Sequence, residues 1–230
     1  MSRLLRLMKA VAYKEWRGLL AKGLAGRLGF AIVLPAMMLG KAVSAAESSP
    51  AESVSWSLFA ILFSAMVGML STTRFGEERG YGTLESFLGL PYGVRSLFLS
   101  KLLVPFLVSF GLCCIFAVFN LCWAHAQGFE SNWVFSVVPA VLVFGWVLAV
   151  ESAILVGYAM WMMSENAAKW AQMSVVGFYG GGMALPMLGG VAVSVSALVL
   201  VLALAAAVLG LLCFLALRKL SVERIVLNSG

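Results

Sequence analysis

RFGEERGYGTLESFLGLPYGVRSLFLSK, residues 74–101, decides how this chain is read, because it is a charged, glycine-rich stretch set between two long apolar runs. Of the 230 residues, 62% are hydrophobic and only 11% are charged, a balance that a water-soluble globule with a covered core does not carry. A bilayer core is crossed by about 20 apolar residues of helix. Six runs approach that length, at 24–40, 54–73, 102–123, 133–160, 170–188 and 191–217. The expected fold is an all-α integral membrane protein with six transmembrane helices, in which residues 74–101 connect the second span to the third.

Charge sets the expected orientation, since Lys and Arg in short loops mark the cytoplasmic side. Arg3, Arg6, Lys9, Lys14, Arg17, Lys22 and Arg27 precede the first span, and Arg74, Arg79, Arg95 and Lys101 lie in the second connection. Lys169 follows the fourth span, and Arg218, Lys219 and Arg224 follow the sixth. The other side holds Lys41 with Glu47, Glu52, Glu130 and His125. Both termini are therefore expected in the cytoplasm, with the chain in the inner (plasma) membrane. The net charge of +6 reads as a topology signal and an attraction to anionic head groups, so no nucleic-acid partner is expected. The basic N-terminal stretch is too long and too amphipathic for a signal peptide, and VSAAES around Ala46 follows a full-length run, so it reads as a loop.

Residues 1–23 form a unit of their own ahead of a single membrane domain at 24–230. Leu4, Leu7, Met8, Val11, Ala12, Trp16 and Leu19 recur at helical spacing, while Arg3, Arg6, Lys9, Tyr13, Lys14 and Arg17 fall mostly on the other side. That pattern predicts an amphipathic helix lying in the cytoplasmic head-group layer. Inside the 74–101 hairpin, Thr83, Leu84, Phe87 and Leu88 make one face of a short helix, with Glu78 and Glu85 a heptad apart. Gly76, Gly80 and Gly82 permit tight turns before it, and Gly89 and Pro91 end it. A short helix with acidic ends on a Gly/Pro-bounded hairpin is a surface for a soluble partner.

The chemistry within the chain is sparse. No G-x-x-x-x-G-K-[ST] phosphate cradle occurs and there is no Asp at all, which argues against a nucleotide site and against clustered Mg²⁺ ligands. His125 stands alone in an external turn beside Trp123, where it reads as a head-group neighbour rather than a catalyst. Cys113, Cys114, Cys122 and Cys213 have no Cys-x-x-Cys spacing and read as small packing residues. The scattered methionines lack Cys or His partners for copper and read as adaptable apolar lining. No catalytic residue and no metal site is expected.

Two polar groups fall at membrane depth. Glu151 lies well inside the fourth span, where an ionised carboxylate costs at least about 2.5 kcal/mol unless paired or wet. It is expected to hydrogen-bond to Ser, Tyr or Trp of another span, to be protonated, or to face a polar conduit. Asn120, near the outer end of the third span, is explained by interhelical hydrogen bonding. In the fifth span, Gly177, Gly180, Gly181, Gly182, Pro186, Gly189 and Gly190 predict a break or re-entrant turn. Tyr179 and Met183 beside it, with Glu151 and Asn120, are the candidate substrate pathway.

The pattern E-x-x-x-G-T-L-E, then a short apolar stretch, a Pro and a Lys opening the next span, resembles the cytoplasmic loop of type-2 ABC exporter permeases. The matching residues are Glu78, Gly82, Thr83, Leu84, Glu85, Pro91 and Lys101. With the entry helix and six spans, the resemblance extends over nearly the whole chain. It implies a permease without its own nucleotide site, paired with a second permease subunit and served by two separate ATP-binding cassette ATPases. ATP and Mg²⁺ would be bound by those ATPases, docked at the loop helix around Glu78, Gly82, Thr83, Leu84, Glu85, Phe87 and Pro91. A haem-export permease for cytochrome c maturation is similar in size, span number and G-[ST]-L-E loop. From another class, a membrane scaffold that recruits a soluble partner without transport fits the hairpin as well.

Overall fold

The computed structural model describes residues 9–17, 24–45, 56–65, 72, 75–76, 78, 88–126, 128, 131–164, 166–175, 177, 195–222 and 225. Among the described residues the protein is helical and holds no strand. The helices are α1 (9–17), α2 (Leu24–Ala45), α3 (Trp56–Ala65), α4 (Val94–Ala126), α5 (Ser131–Met162), α6 (166–175) and α7 (Val195–Lys219).

Three of these contain segments long and apolar enough to cross a membrane: Val94–Ala126, Val138–Met162 and Val199–Lys219. They answer the third, fourth and sixth expected spans. The first coincides with α2, and the second and fifth overlap the shorter α3 and α6. The expected break in the fifth span falls almost wholly at 178–194, outside the described residues.

Large apolar side chains line the outside of the bundle. Leu107, Phe110, Ile115 and Phe119 do so on α4, and Leu200, Leu204, Val208 and Leu211 on α7. Water does not tolerate apolar surface on this scale, and a bilayer does. At 1.5 Å per residue the 33-residue α4 is about 50 Å long, well beyond a hydrocarbon core of about 30 Å. Its surplus is enough to carry the Val94 end out to head-group level.

Packing gives the bundle two distinct ends. At one, Val11 of α1, Phe75, Phe98 of α4, Trp161 of α5, Ala168 of α6 and Leu220 after α7 share one core. Arg95 of α4 also donates to the Arg218 carbonyl at the end of α7, 3.1 Å away. At the other end, Met38 and Ala42 of α2, Trp56 and Ile61 of α3, Phe116 of α4 and Val138 of α5 pack together. Helices α4 and α5 therefore run antiparallel, and α7 runs with α5. The turn between α4 and α5 passes through Gly128, whose φ of 72° suits a residue without a Cβ.

Close approach of the helices depends on missing side chains. A Cβ at Gly145 of α5 would sit 2.7 Å from Leu62 Cδ2 of α3, and one at Gly157 would sit 3.1 Å from Phe98 Cζ of α4. Small residues at crossing points are how membrane helices gain van der Waals contact in the absence of a hydrophobic drive between them.

Candidate functional site

Helix α4 begins its buried face with Leu97, Phe98, Lys101, Leu102 and Pro105, a helical stripe pointing into the bundle. Lys101 belongs to that stripe, and its side chain is only 1% exposed. An unpaired ammonium there would be very costly. The chain surrounds it with compensation: Glu78, at the start of the hairpin, accepts a hydrogen bond from Lys101 Nζ. Glu15 of α1 lies 4.0 Å from the same nitrogen. Lys14 of α1 stands 3.9 Å from Glu78, so two cations face two carboxyl groups.

Aromatic rings pack over the site. Phe75, Phe98 and Trp161 pack with centroids 5.2–5.3 Å apart. Lys101 Nζ lies 4.7 Å from the Phe75 centroid and 5.8 Å from that of Trp161, within cation–π range. The cluster thus joins four pieces of chain: α1, the mouth of the hairpin, the first turns of α4 and the end of α5. Pro105 adds a local weakness, because it has no N–H to offer the Lys101 carbonyl one turn earlier.

Glu15 is the part that the sequence reading missed. Within α1, Val11 and Glu15 point inward, whereas Trp16 is 49% exposed and Tyr13 59%. The helix therefore docks on the body through a Val11–Glu15 seam, flanked by an exposed aromatic and basic face on which Arg17 stacks over Tyr13 at 5.2 Å. One signal was available: Glu15 is the only acidic residue before Glu47, in a stretch otherwise rich in Lys and Arg. Lys101, read as a cytoplasmic-side charge and as the Lys opening the third span, had a signal for its burial too, since it falls three residues after Phe98 and four after Leu97.

Of the hairpin residues expected to meet a partner, Glu78 and Pro91 are described. Pro91 is exposed in the bend at 90–92 that precedes α4, after the helical Leu88 and the turn at Gly89. Gly82, Thr83, Leu84, Glu85 and Phe87 lie outside the described residues, as do Tyr179 and Met183.

Glu151 and Asn120 are well away from this cluster and from each other. Glu151 sits at the α5–α7 seam, where a Cβ on Gly210 would come within 2.8 Å of its Oε1. The Cys213 thiol of α7 donates to the Glu151 backbone carbonyl at 3.1 Å. The Glu151 Oε2 is buried and has no hydrogen-bond partner among the described residues. Asn120 Nδ2 donates to Phe116 O, one turn back in its own helix, at 2.8 Å rather than across to another helix. Its Oδ1 is likewise buried without a partner among the described residues. No group of three or more His, Cys, Asp or Glu among the described residues is arranged to hold a metal ion.

Residues 24–180 of the chain match the model of a known family, described as ABC-2 family transporter protein. No curated protein and no solved structure gives a significant match. The matched region contains the Lys101 cluster apart from α1, together with the hairpin and the α4–α5 pair. A match over more than half of the chain, on a helical bundle with an apolar exterior, assigns it: the protein belongs to the ABC-2 family of transporter permeases, the membrane-spanning components of ABC transporters.

Proposed function

We infer that this chain is the permease subunit of an ATP-driven exporter, with six spans, both termini in the cytoplasm and the inner (plasma) membrane as its site. It works as a dimer, with a second copy or a related subunit. Two soluble ATP-binding cassette ATPases dock on the 75–100 loop, around Glu78, Gly82, Thr83, Leu84, Glu85, Phe87 and Pro91. ATP and Mg²⁺ are bound in those partners, and hydrolysis occurs there. When the ATPases close on ATP, the hairpin is displaced and the spans follow. The cavity between subunits, with Glu151, Asn120, Tyr179 and Met183 along the pathway, selects the substrate.

The observation that carries this reading is the family match over the region holding a polar hairpin whose mouth is fixed into the bundle by a buried ion cluster. A loop that only covered lipid head groups would have no use for such an anchor. The charge distribution supports the orientation, because Arg95, Lys101 and Arg218 gather at the end where the hairpin emerges.

The test is a copurification in mild detergent from the native host. Wild-type permease is expected to bring a Walker-type ATPase in near-equal amount. Glu85→Lys, which reverses charge on the loop helix, is expected to insert normally and lose that ATPase. Normal ATPase recovery with Glu85→Lys would remove the hairpin from docking. Repeated recovery of the wild type with no ATPase would favour the scaffold.

A further inference from the structure

The family match begins at residue 24, yet the Lys101 cluster reaches back beyond it to Glu15. We propose that Glu15 is a positioning residue for energy coupling: through Lys101 it latches α1 to the mouth of the hairpin. Helix α1 then moves with the hairpin instead of resting passively in the head-group layer. This proposal rests on the exporter reading for its functional consequence.

The geometry argues for a latch in three ways. First, Lys101 is shared: Glu78 and Glu15 approach the same nitrogen from different segments, so one buried cation draws α1 and the mouth of the hairpin to the same point. Second, the latch is enclosed, since Glu15 and Glu78 side chains are only 9% and 14% exposed, and Phe75 and Trp161 cover the lysine. Water is thereby kept from screening the pairs. Third, the latch sits one turn before Pro105, where α4 lacks a backbone hydrogen bond and can alter its direction. A pull on Glu78 is thus transmitted to Lys101 and α1 together, above the weakest turn of α4. An exposed bridge would not serve, because side-chain motion and solvent would absorb the displacement.

The experiment measures amide hydrogen exchange in full-length permease reconstituted in nanodiscs. The variants are Glu15→Gln, Lys101→Met and, as a control on the exposed face of α1, Lys9→Gln. In permease alone, Glu15→Gln should speed exchange about tenfold or more at residues 75–78 as well as in 9–17, the scale expected when one partner of a buried pair is lost. Lys101→Met should do the same, and Lys9→Gln should do neither. Unchanged exchange at 75–78 in Glu15→Gln overturns the latch.

The second arm adds the copurified ATPase, with and without ATP and vanadate. Wild type should show an ATP-dependent change in exchange in 9–17, and Glu15→Gln should lose it while retaining the ATPase in wild-type amount. An equal ATP response of 9–17 in both proteins overturns the coupling role. Failure of any ATPase to copurify counts against the exporter reading alone, because the first arm decides the latch on the permease by itself.

Discussion

Two ionisable side chains, the buried Lys101 and the half-buried Glu151, are treated in opposite ways by this bundle. Lys101, at one end, is met by two carboxyl groups and two aromatic rings drawn from several segments. Glu151, at the α5–α7 seam, is met by the bare backbone of Gly210, and its Oε2 has no partner among the described residues. A compensated buried ion pair fixes which segments stay together. A carboxyl group without a partner at membrane depth is costly, which is why the pathway proposed above includes Glu151.

The largest expected effect comes from breaking the compensated site. Lys101→Met leaves the Glu15 and Glu78 carboxyl groups enclosed without the cation they share, and should lower stability by about 3–5 kcal/mol. Thermal unfolding in nanodiscs would register it as a large fall in Tm. A change under about 1 kcal/mol would mean that the cluster is wet and loosely held.

Next in size is Gly210→Leu. Its side chain must displace the Glu151 carboxyl from the α5–α7 seam, an overpacking expected to cost about 1 kcal/mol or more in the same assay. Glu151→Gln should cost less than that, under about 1 kcal/mol, because its Oε2 has no hydrogen bond to lose among the described residues. Its transport rate should nonetheless fall if the pathway passes Glu151. A stability loss as large as that of Lys101→Met would instead make Glu151 a structural group.

The smallest effect is assigned to Lys14→Gln. Its side chain is 65% exposed, with the ammonium 3.9 Å from Glu78, so the pair contributes on the order of a few tenths of a kcal/mol and should vanish into salt screening. Matching unfolding curves at low and high salt would place Lys14 on the rim of the cluster.

Much of the fold was legible because its causes are local. Continuous apolar runs announce α4, α5 and α7, and Gly89 and Pro91 mark where the hairpin turns before α4. The position of Glu151 within a span was legible for the same reason. The pairing at Lys101 was not, because it depends on packing between residues as far apart as 15, 78 and 101. Charge counting grouped Lys101 with Arg95 and Arg218, which the bundle does bring to one end, and overlooked that helical periodicity turns it inward. Likewise, amphipathicity identified α1 as a helix with Val11 and Trp16 on one apolar stripe, but it did not separate the two: Val11 packs in the core beside the buried Glu15, while Trp16 is left 49% exposed.

The central claim is that this permease operates as a dimer carrying separate ATPases, and native mass spectrometry of the complex extracted in mild detergent tests it most directly. The account predicts an assembly of two permease chains and two ATPase chains, which loses only the ATPases when Glu85→Lys is introduced. A lone permease chain, or an assembly without any nucleotide-binding subunit, would contradict it.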